Sequence, residues 1–141
     1  MERKCELEAI VKTLVVEDDF TTRLLLQEIL KRYGAVHIAV NGQEAIDAVR
    51  SAMDAGEPYD LVCMDIMMPV MDGRVALKEI RNMEEAQGIT SSHGAKIFMT
   101  TALDQVENII QSFYGLCDAY LCKPIEKGKL LEHLHTFRLI G

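Results

Sequence analysis

Glu17, Asp18 and Asp19 stand together directly after the apolar run Thr13-Leu14-Val15-Val16, and another carboxylate, Asp65, closes the run Leu61-Val62-Cys63-Met64. Farther along, Thr101 follows Ala95 to Thr100, and Lys123 follows Ala119 to Cys122. Each of these polar side chains sits where an apolar stretch runs out, a position for which a core has no use. Carboxylates brought within a few ångströms raise one another's pKa unless a cation or a shared proton intervenes. Mg²⁺ meets that need, because it takes oxygen ligands, keeps several waters and is held by one or two carboxylates plus a phosphate. Asp18 and Asp65 suit direct ligation, and Glu17 a contact through water. A carboxylate beside such a cation and a lysine is equipped to attack a phosphoryl group, since the positive charges offset those on the equatorial oxygens. Asp65 is the candidate nucleophile, Lys123 a point-charge donor to the phosphate, and the Thr101 hydroxyl a further donor to it.

These residues need a scaffold that brings strand ends together. Thr13 to Val16 reads as a short buried strand, followed by a helical pattern of Leu24, Leu25, Ile29 and Leu30 that stops at Gly34. Ala35 to Val40 is a second strand, and Asn41 with Glu44 three residues on opens a helix reaching about Ala55. The third strand, Leu61 to Met64, leads through a loop with Pro69 and Gly73 to a helix around Val75 to Met83. Residues Glu84 to Gly94, with Gly88, Ser91 and Ser92, read as a polar surface loop. Ala95 to Thr100 is strand four, Asp104 to Glu107 caps a fourth helix, Ala119 to Cys122 is strand five, and Lys129 to Phe137 is a last amphipathic helix. Strict alternation of this kind predicts an α/β, doubly wound, open parallel sheet with helices on both faces. In such a sheet the ligand crevice lies beyond the carboxyl ends of the strands, so Glu17, Asp18, Asp65, Thr101 and Lys123 converge there.

Val15-Val16-Glu17-Asp18-Asp19, Asp65-Ile66-Met67-Met68-Pro69-Val70-Met71-Asp72-Gly73, Thr101-Ala102 and Tyr120-Leu121-Cys122-Lys123-Pro124 together resemble the response-regulator receiver family in order and spacing. Each short motif is weak alone, whereas the long Asp65 to Gly73 run between an acidic strand end and a Lys-Pro pair is specific. The resemblance spans about Thr13 to Phe137. It implies a flavodoxin-like five-stranded sheet in the order 2-1-3-4-5 with five helices, and a receiver domain at residues 13–137 between an N-terminal extension (1–12) and a C-terminal tail (138–141). It also implies Mg²⁺ as cofactor, with Glu17, Asp18, Asp65 and the Met67 backbone carbonyl at the metal, and Asp65 as acceptor of a phosphoryl group from a sensor histidine kinase or a histidine phosphotransfer protein. Tyr120 is then an aromatic switch residue coupled to Thr101, Asp19 belongs to the turn into the first helix and caps it, and the Lys123-Pro124 peptide is one that is often cis in the family. The implied output is a protein-protein contact of the face made by the helix opening at Asp104, strand five and the last helix. No output domain is expected after Gly141, so the reading is a single-domain, non-enzymatic phosphoacceptor whose downstream target the sequence does not name.

Composition narrows the alternatives. The 141 residues are 49% hydrophobic, enough for one domain with one core. A formal charge of −7 with scattered Lys and Arg offers no basic face for a nucleic acid. No stretch resembles a signal peptide or a membrane span, and the expected location is cytoplasmic. Cys5, Cys63, Cys117 and Cys122 form no Cys-x-x-Cys pair, and His133 and His135, two apart on a helix, suit a metal poorly and read as solvated. Taken singly, the acidic triplet is a solvated turn and Asp65, Thr101 and Lys123 are ordinary loop residues; their joint occurrence at successive strand ends is what favours chemistry. An aspartyl-nucleophile phosphohydrolase of the haloacid-dehalogenase type needs a second Asp two residues after the first, where Met67 stands. No glycine-rich phosphate loop follows any strand. A receiver that binds partners without phosphorylation sits badly with Glu17, Asp18, Asp65, Thr101 and Lys123 all present. Met67 and Leu103, two residues after Asp65 and Thr101, are apolar and predict slow autodephosphorylation, because neither side chain can hold an attacking water.

Overall fold

Short β-branched and apolar runs alternate with capped amphipathic segments, and the computed structural model, which describes residues 10–90, 93–102 and 116–141, turns each run into a strand of one sheet. The strands are β1 (Thr13–Val16), β2 (Val36–Ala39), β3 (Leu61–Asp65), β4 (Lys96–Ala102) and β5 (Ala119–Lys123). All pair in parallel, in the order β2-β1-β3-β4-β5. β1 and β3 are buried along their whole length, as a parallel sheet covered on both faces requires. The described helices are α1 (Phe20–Leu30), α2 (Gly42–Asp54), α3 (Gly73–Ala86) and α4 (Lys127–Thr136), with a single 3₁₀ turn at Lys31–Tyr33. The helix expected from Asp104, and Cys5, lie outside the described residues.

Strand alternation divides the core into two layers. Leu14, Val16, Val62, Met64, Ile97 and Met99 point toward α2 and α3, while Val15, Leu61, Cys63, Phe98 and Leu121 point toward α1 and α4. Burying each large side chain of this kind stabilises the fold by about 1.5–3 kcal/mol, and the second layer takes in Val11 and Ile140, near the two ends of the described residues. Helix entry follows the local chemistry. The Asp19 carboxylate accepts from the Thr22 amide (2.9 Å), Asn41 accepts from the Glu44 amide (2.9 Å) while Glu44 reaches back to the Val40 amide (3.0 Å), and Asp72 accepts from the Arg74 amide (2.7 Å).

Three expectations change. The buried stripe of α1 is Leu26, Ile29 and Leu30, whereas Leu24 and Leu25 are exposed; a run of consecutive leucines leaves the phase of a helix undetermined, and the sheet sets it. His135 is exposed as expected, but His133 is half-buried and packs on Phe98, with ring centroids 5.6 Å apart. Most consequentially, Glu84 does not open a surface loop. α3 continues to Ala86, and Glu84 is 4% exposed, its carboxylate bound by Arg81 and by the Ala95 amide, both at 2.8 Å. Arg81, itself 8% exposed, also donates to the carbonyls of Leu116 and Ala95 (2.8 Å each) and to the Asp118 carboxylate (2.9 Å). Gly94 is part of this arrangement, since a Cβ there would lie 2.3 Å from Glu84 Oε1.

Candidate functional site

Because all strands run the same way, their carboxyl ends share one edge, and the winding of the chain reverses between the neighbouring strands β1 and β3. Glu17 leaves β1 at this point, held by a hydrogen bond from its amide to the Ala39 carbonyl (3.0 Å). Its side chain is wholly buried: Oε2 accepts from Lys123 Nζ (3.1 Å) and from the Asp19 amide (3.2 Å), and Oε1 has no partner among the described residues. Burial first, and then the neighbouring Asp65 charge, push the Glu17 pKa up to about 7. Asp65, the last residue of β3, is 4% exposed; its Oδ1 accepts from the Met67 amide (3.3 Å) and its Oδ2 faces Lys123 Nζ (3.2 Å). Lys123 thus bridges the two buried carboxylates. Burial alone would lower its pKa, but Asp65 and Glu17 more than offset that and hold it above the ordinary value.

Asp18 is exposed at the mouth, and one oxygen from each of Glu17, Asp18 and Asp65 lies within 4.8 Å of the others. Three carboxylates against one ammonium leave two negative charges when all are ionised. The donor set is all oxygen, one of the oxygens is buried without a partner among the described residues, and the uncompensated charge matches a divalent cation, so these residues fit Mg²⁺.

The other expected residues are placed as follows. Thr101 lies inside β4 rather than after it, 1% exposed, with a hydroxyl that has no partner among the described residues; the register sets Asp65 opposite its neighbour Thr100. Tyr120 lies opposite Met99 in β5 and packs on the α2–α3 side of the core, its hydroxyl shut off from solvent beside the Cys117 thiol, so that burial and the thiol raise its pKa. Met67 brings its backbone to Asp65, while the residue as a whole is 63% exposed. Leu103 falls outside the described residues. The Lys123-Pro124 peptide is cis.

Two contributors were not identified from sequence. A Cβ on Gly73 would lie 2.2 Å from the Asp65 carbonyl oxygen, and the Gly73 amide donates to the Ile66 carbonyl (2.8 Å), so the bare glycine lets α3 start directly on the backbone of Asp65 and Ile66. Arg23 of α1 donates to the Glu17 carbonyl (3.2 Å) and lies over the Phe20 ring. Gly73 reads from sequence as part of the loop before a helix around Val75, with nothing to show its close approach to Asp65; Arg23 carries no motif.

Comparison with known proteins is consistent with this geometry. The response regulator receiver domain profile matches residues 13–135. The two-component response regulator ORR41 of Oryza sativa subsp. japonica is 36% identical over 134 residues, covering 92% of this chain and 96% of that protein. The osmosensing histidine protein kinase SLN1 of Saccharomyces cerevisiae is 34% identical over 132 residues, covering 92% of this chain but only 10% of the kinase. Among solved structures, the receiver domain of the yeast response regulator Ssk1, crystallised with the histidine phosphotransfer protein Ypd1, superposes with a TM-score of 0.76 at 25% identity, over 92% of this chain and 89% of that one.

Proposed function

Given that this chain belongs to the response regulator receiver domain family, we propose that it accepts a phosphoryl group on Asp65 from a sensor histidine kinase or a histidine phosphotransfer protein and signals through protein contacts. The observation that carries this reading is the cluster in which Lys123 bridges the buried carboxylates of Glu17 and Asp65 with Asp18 at the mouth. An Asp65 carboxylate oxygen attacks phosphorus, the phosphorus-nitrogen bond of the donor phosphohistidine breaks, and the imidazole leaves; the product is an aspartyl phosphate. Asp18, Asp65 and the Met67 carbonyl would hold Mg²⁺, with Glu17 acting through a water, and the bound cation would supply charge neutralisation for the phosphoryl group. Lys123, freed from part of its pairing with Asp65, follows the new negative charge, and the Thr101 hydroxyl, which has no partner among the described residues, donates to it.

Thr101 and Tyr120 then act as the switch, biasing the face of β5, α4 and the segment opening at Asp104 toward one of two arrangements. Donor docking is supported by the exposed Phe20, Leu24 and Leu25 on α1, the helix that follows the acidic loop. The formal charge of −7 favours no direct nucleic-acid contact, and no helix among the described residues is long and apolar enough to cross a membrane. A cytoplasmic site of action fits a reaction with kinase-borne phosphoryl groups.

Incubation with acetyl phosphate and Mg²⁺ followed by intact mass tests the chemistry. The wild type should gain one phosphoryl group and Asp65→Asn none, with unchanged circular dichroism. Full labelling of the variant would place the nucleophile elsewhere.

A further inference from the structure

The buried cluster around Arg81 lies at the end of the sheet opposite Glu17 and Asp65, and nothing in the phosphoryl chemistry uses it. Its guanidinium is bonded through Nε to the Leu116 carbonyl, through Nη1 to Glu84 and the Ala95 carbonyl, and through Nη2 to Asp118. One positive charge meets two carboxylates, and the second negative charge is met by backbone amides: Ala95 donates to Glu84 and Ile97 to Asp118, each at 2.8 Å. A largely buried charge group bonded from several directions holds one geometry and resists small distortions, whatever its net contribution to stability.

What it holds is the tripeptide Leu116-Cys117-Asp118. Leu116 is fixed by its carbonyl, and Asp118 by its carboxylate and by its own amide, which donates to the Ile97 carbonyl (2.8 Å). The middle residue, Cys117, flanks the Tyr120 hydroxyl. The rod that carries Arg81 is α3, the same helix whose first residue, Gly73, rests on the backbone of Asp65 and Ile66.

We propose that Arg81 is a positioning residue for Tyr120: by clamping Leu116 and Asp118 to α3 it fixes the start of β5 and gives the Tyr120 ring one resting position from which a change at Asp65 can move it. This inference rests on the reading of Tyr120 as the reporter of phosphorylation.

The test uses the full chain labelled with 3-fluorotyrosine, the Tyr120 fluorine line being assigned with Tyr120→Phe and recorded in Mg²⁺ with and without beryllofluoride. In the wild type a single narrow Tyr120 line moves on binding. Arg81→Lys keeps a charge for Glu84 but loses the planar fork that reaches Leu116 and Asp118 together, and Asp118→Asn weakens the same clamp from the other side. Both should take up beryllofluoride at wild-type concentrations, yet show a broadened or displaced Tyr120 line before binding and a shift on binding reduced by about half or more. Glu84→Gln is the control, since it removes a buried ion pair while leaving the bonds to Leu116 and Asp118 in place; it should lower thermal stability with the Tyr120 line unchanged. Wild-type Tyr120 lines in Arg81→Lys and Asp118→Asn would overturn the inference, as would an equal disturbance in Glu84→Gln at matched stability. A wild-type chain that leaves every fluorine line unmoved by beryllofluoride would instead remove the functional reading beneath it.

Discussion

At the scale of single residues, Glu17 and Asp18 are adjacent in sequence yet differ in nearly every physical respect. Glu17 is wholly buried, bonded to Lys123 and raised in pKa, whereas Asp18 is exposed at the mouth with its carboxylate near those of Glu17 and Asp65. The contrast falls at the end of β1, where Glu17 is still tied to the sheet through its amide and the Ala39 carbonyl while Asp18 lies in the bend beyond it. Asp18→Ala should therefore weaken Mg²⁺ binding about tenfold or more and Glu17→Gln less, in the way that a direct ligand outweighs a group behind a water; a Mg²⁺ titration followed by amide shifts ranks them, and the reverse order would put the acidic pair out of register. Met67 supports a second expectation at this scale. Its backbone serves Asp65 while its side chain offers no hydrogen bond to a water, and Leu103 has the same apolar character in the sequence. Decay of the phosphorylated form after donor removal should be faster in a Met67→Asn, Leu103→Glu double variant than in the wild type, and equal rates would refute the role of these positions.

At the scale of elements, the start of α3 is the joint on which the site depends. Gly73→Ala places a methyl group against the Asp65 carbonyl, where only backbone can give way, and should cost about 2–4 kcal/mol in denaturant unfolding while also slowing phosphorylation by acetyl phosphate, because the nucleophile's own peptide must shift. A variant of wild-type stability and rate would show that α3 sits farther from Asp65. Much of this architecture was legible beforehand. Strand runs of four or five apolar residues, ended by Glu17, Asp65 and Lys123, mark their own limits through composition, and Asp19 and Asn41 announce helices through capping chemistry that acts within three or four residues. The cluster of Arg81, Glu84 and Asp118 was not legible, because Arg81 and Asp118 are 37 positions apart and a charged residue near the end of a helix reads as solvated until its partners are known. Leu24 and Leu25 failed for the opposite reason: α1 offers too many leucines for periodicity to select a face.

At the scale of the whole molecule, the acidic pocket should couple phosphoryl chemistry to folding stability. An unfolded glutamate titrates near its ordinary 4.5 and folded Glu17 near 7, so between these values the native state binds a proton that the unfolded chain has released. The linkage relation then gives stability that falls as pH rises through the window and levels off above it, by about 1–3 kcal/mol for one buried carboxylate. Other shifted groups act elsewhere. Asp19 and Asp72 are lowered and stabilise above the ordinary carboxylate range, losing that contribution only in strong acid, while Lys123 is raised and loses its contribution only in strong base. The net charge of −7 adds a general repulsion with rising pH, which Glu17→Gln, a change of one charge, leaves almost intact. Metal-free protein should thus be less stable to denaturant at pH 8 than at pH 5.5, and Glu17→Gln should abolish most of the difference. Mg²⁺ selects the ionised carboxylates, so saturating Mg²⁺ should raise wild-type stability at pH 8 more than at pH 5.5 and flatten or invert the slope. An undiminished slope in Glu17→Gln would assign the titration to another group. A slope unchanged by Mg²⁺ would mean that the cation does not draw on the Glu17 charge, and the oxygens gathered between β1 and β3 would then need a different occupant.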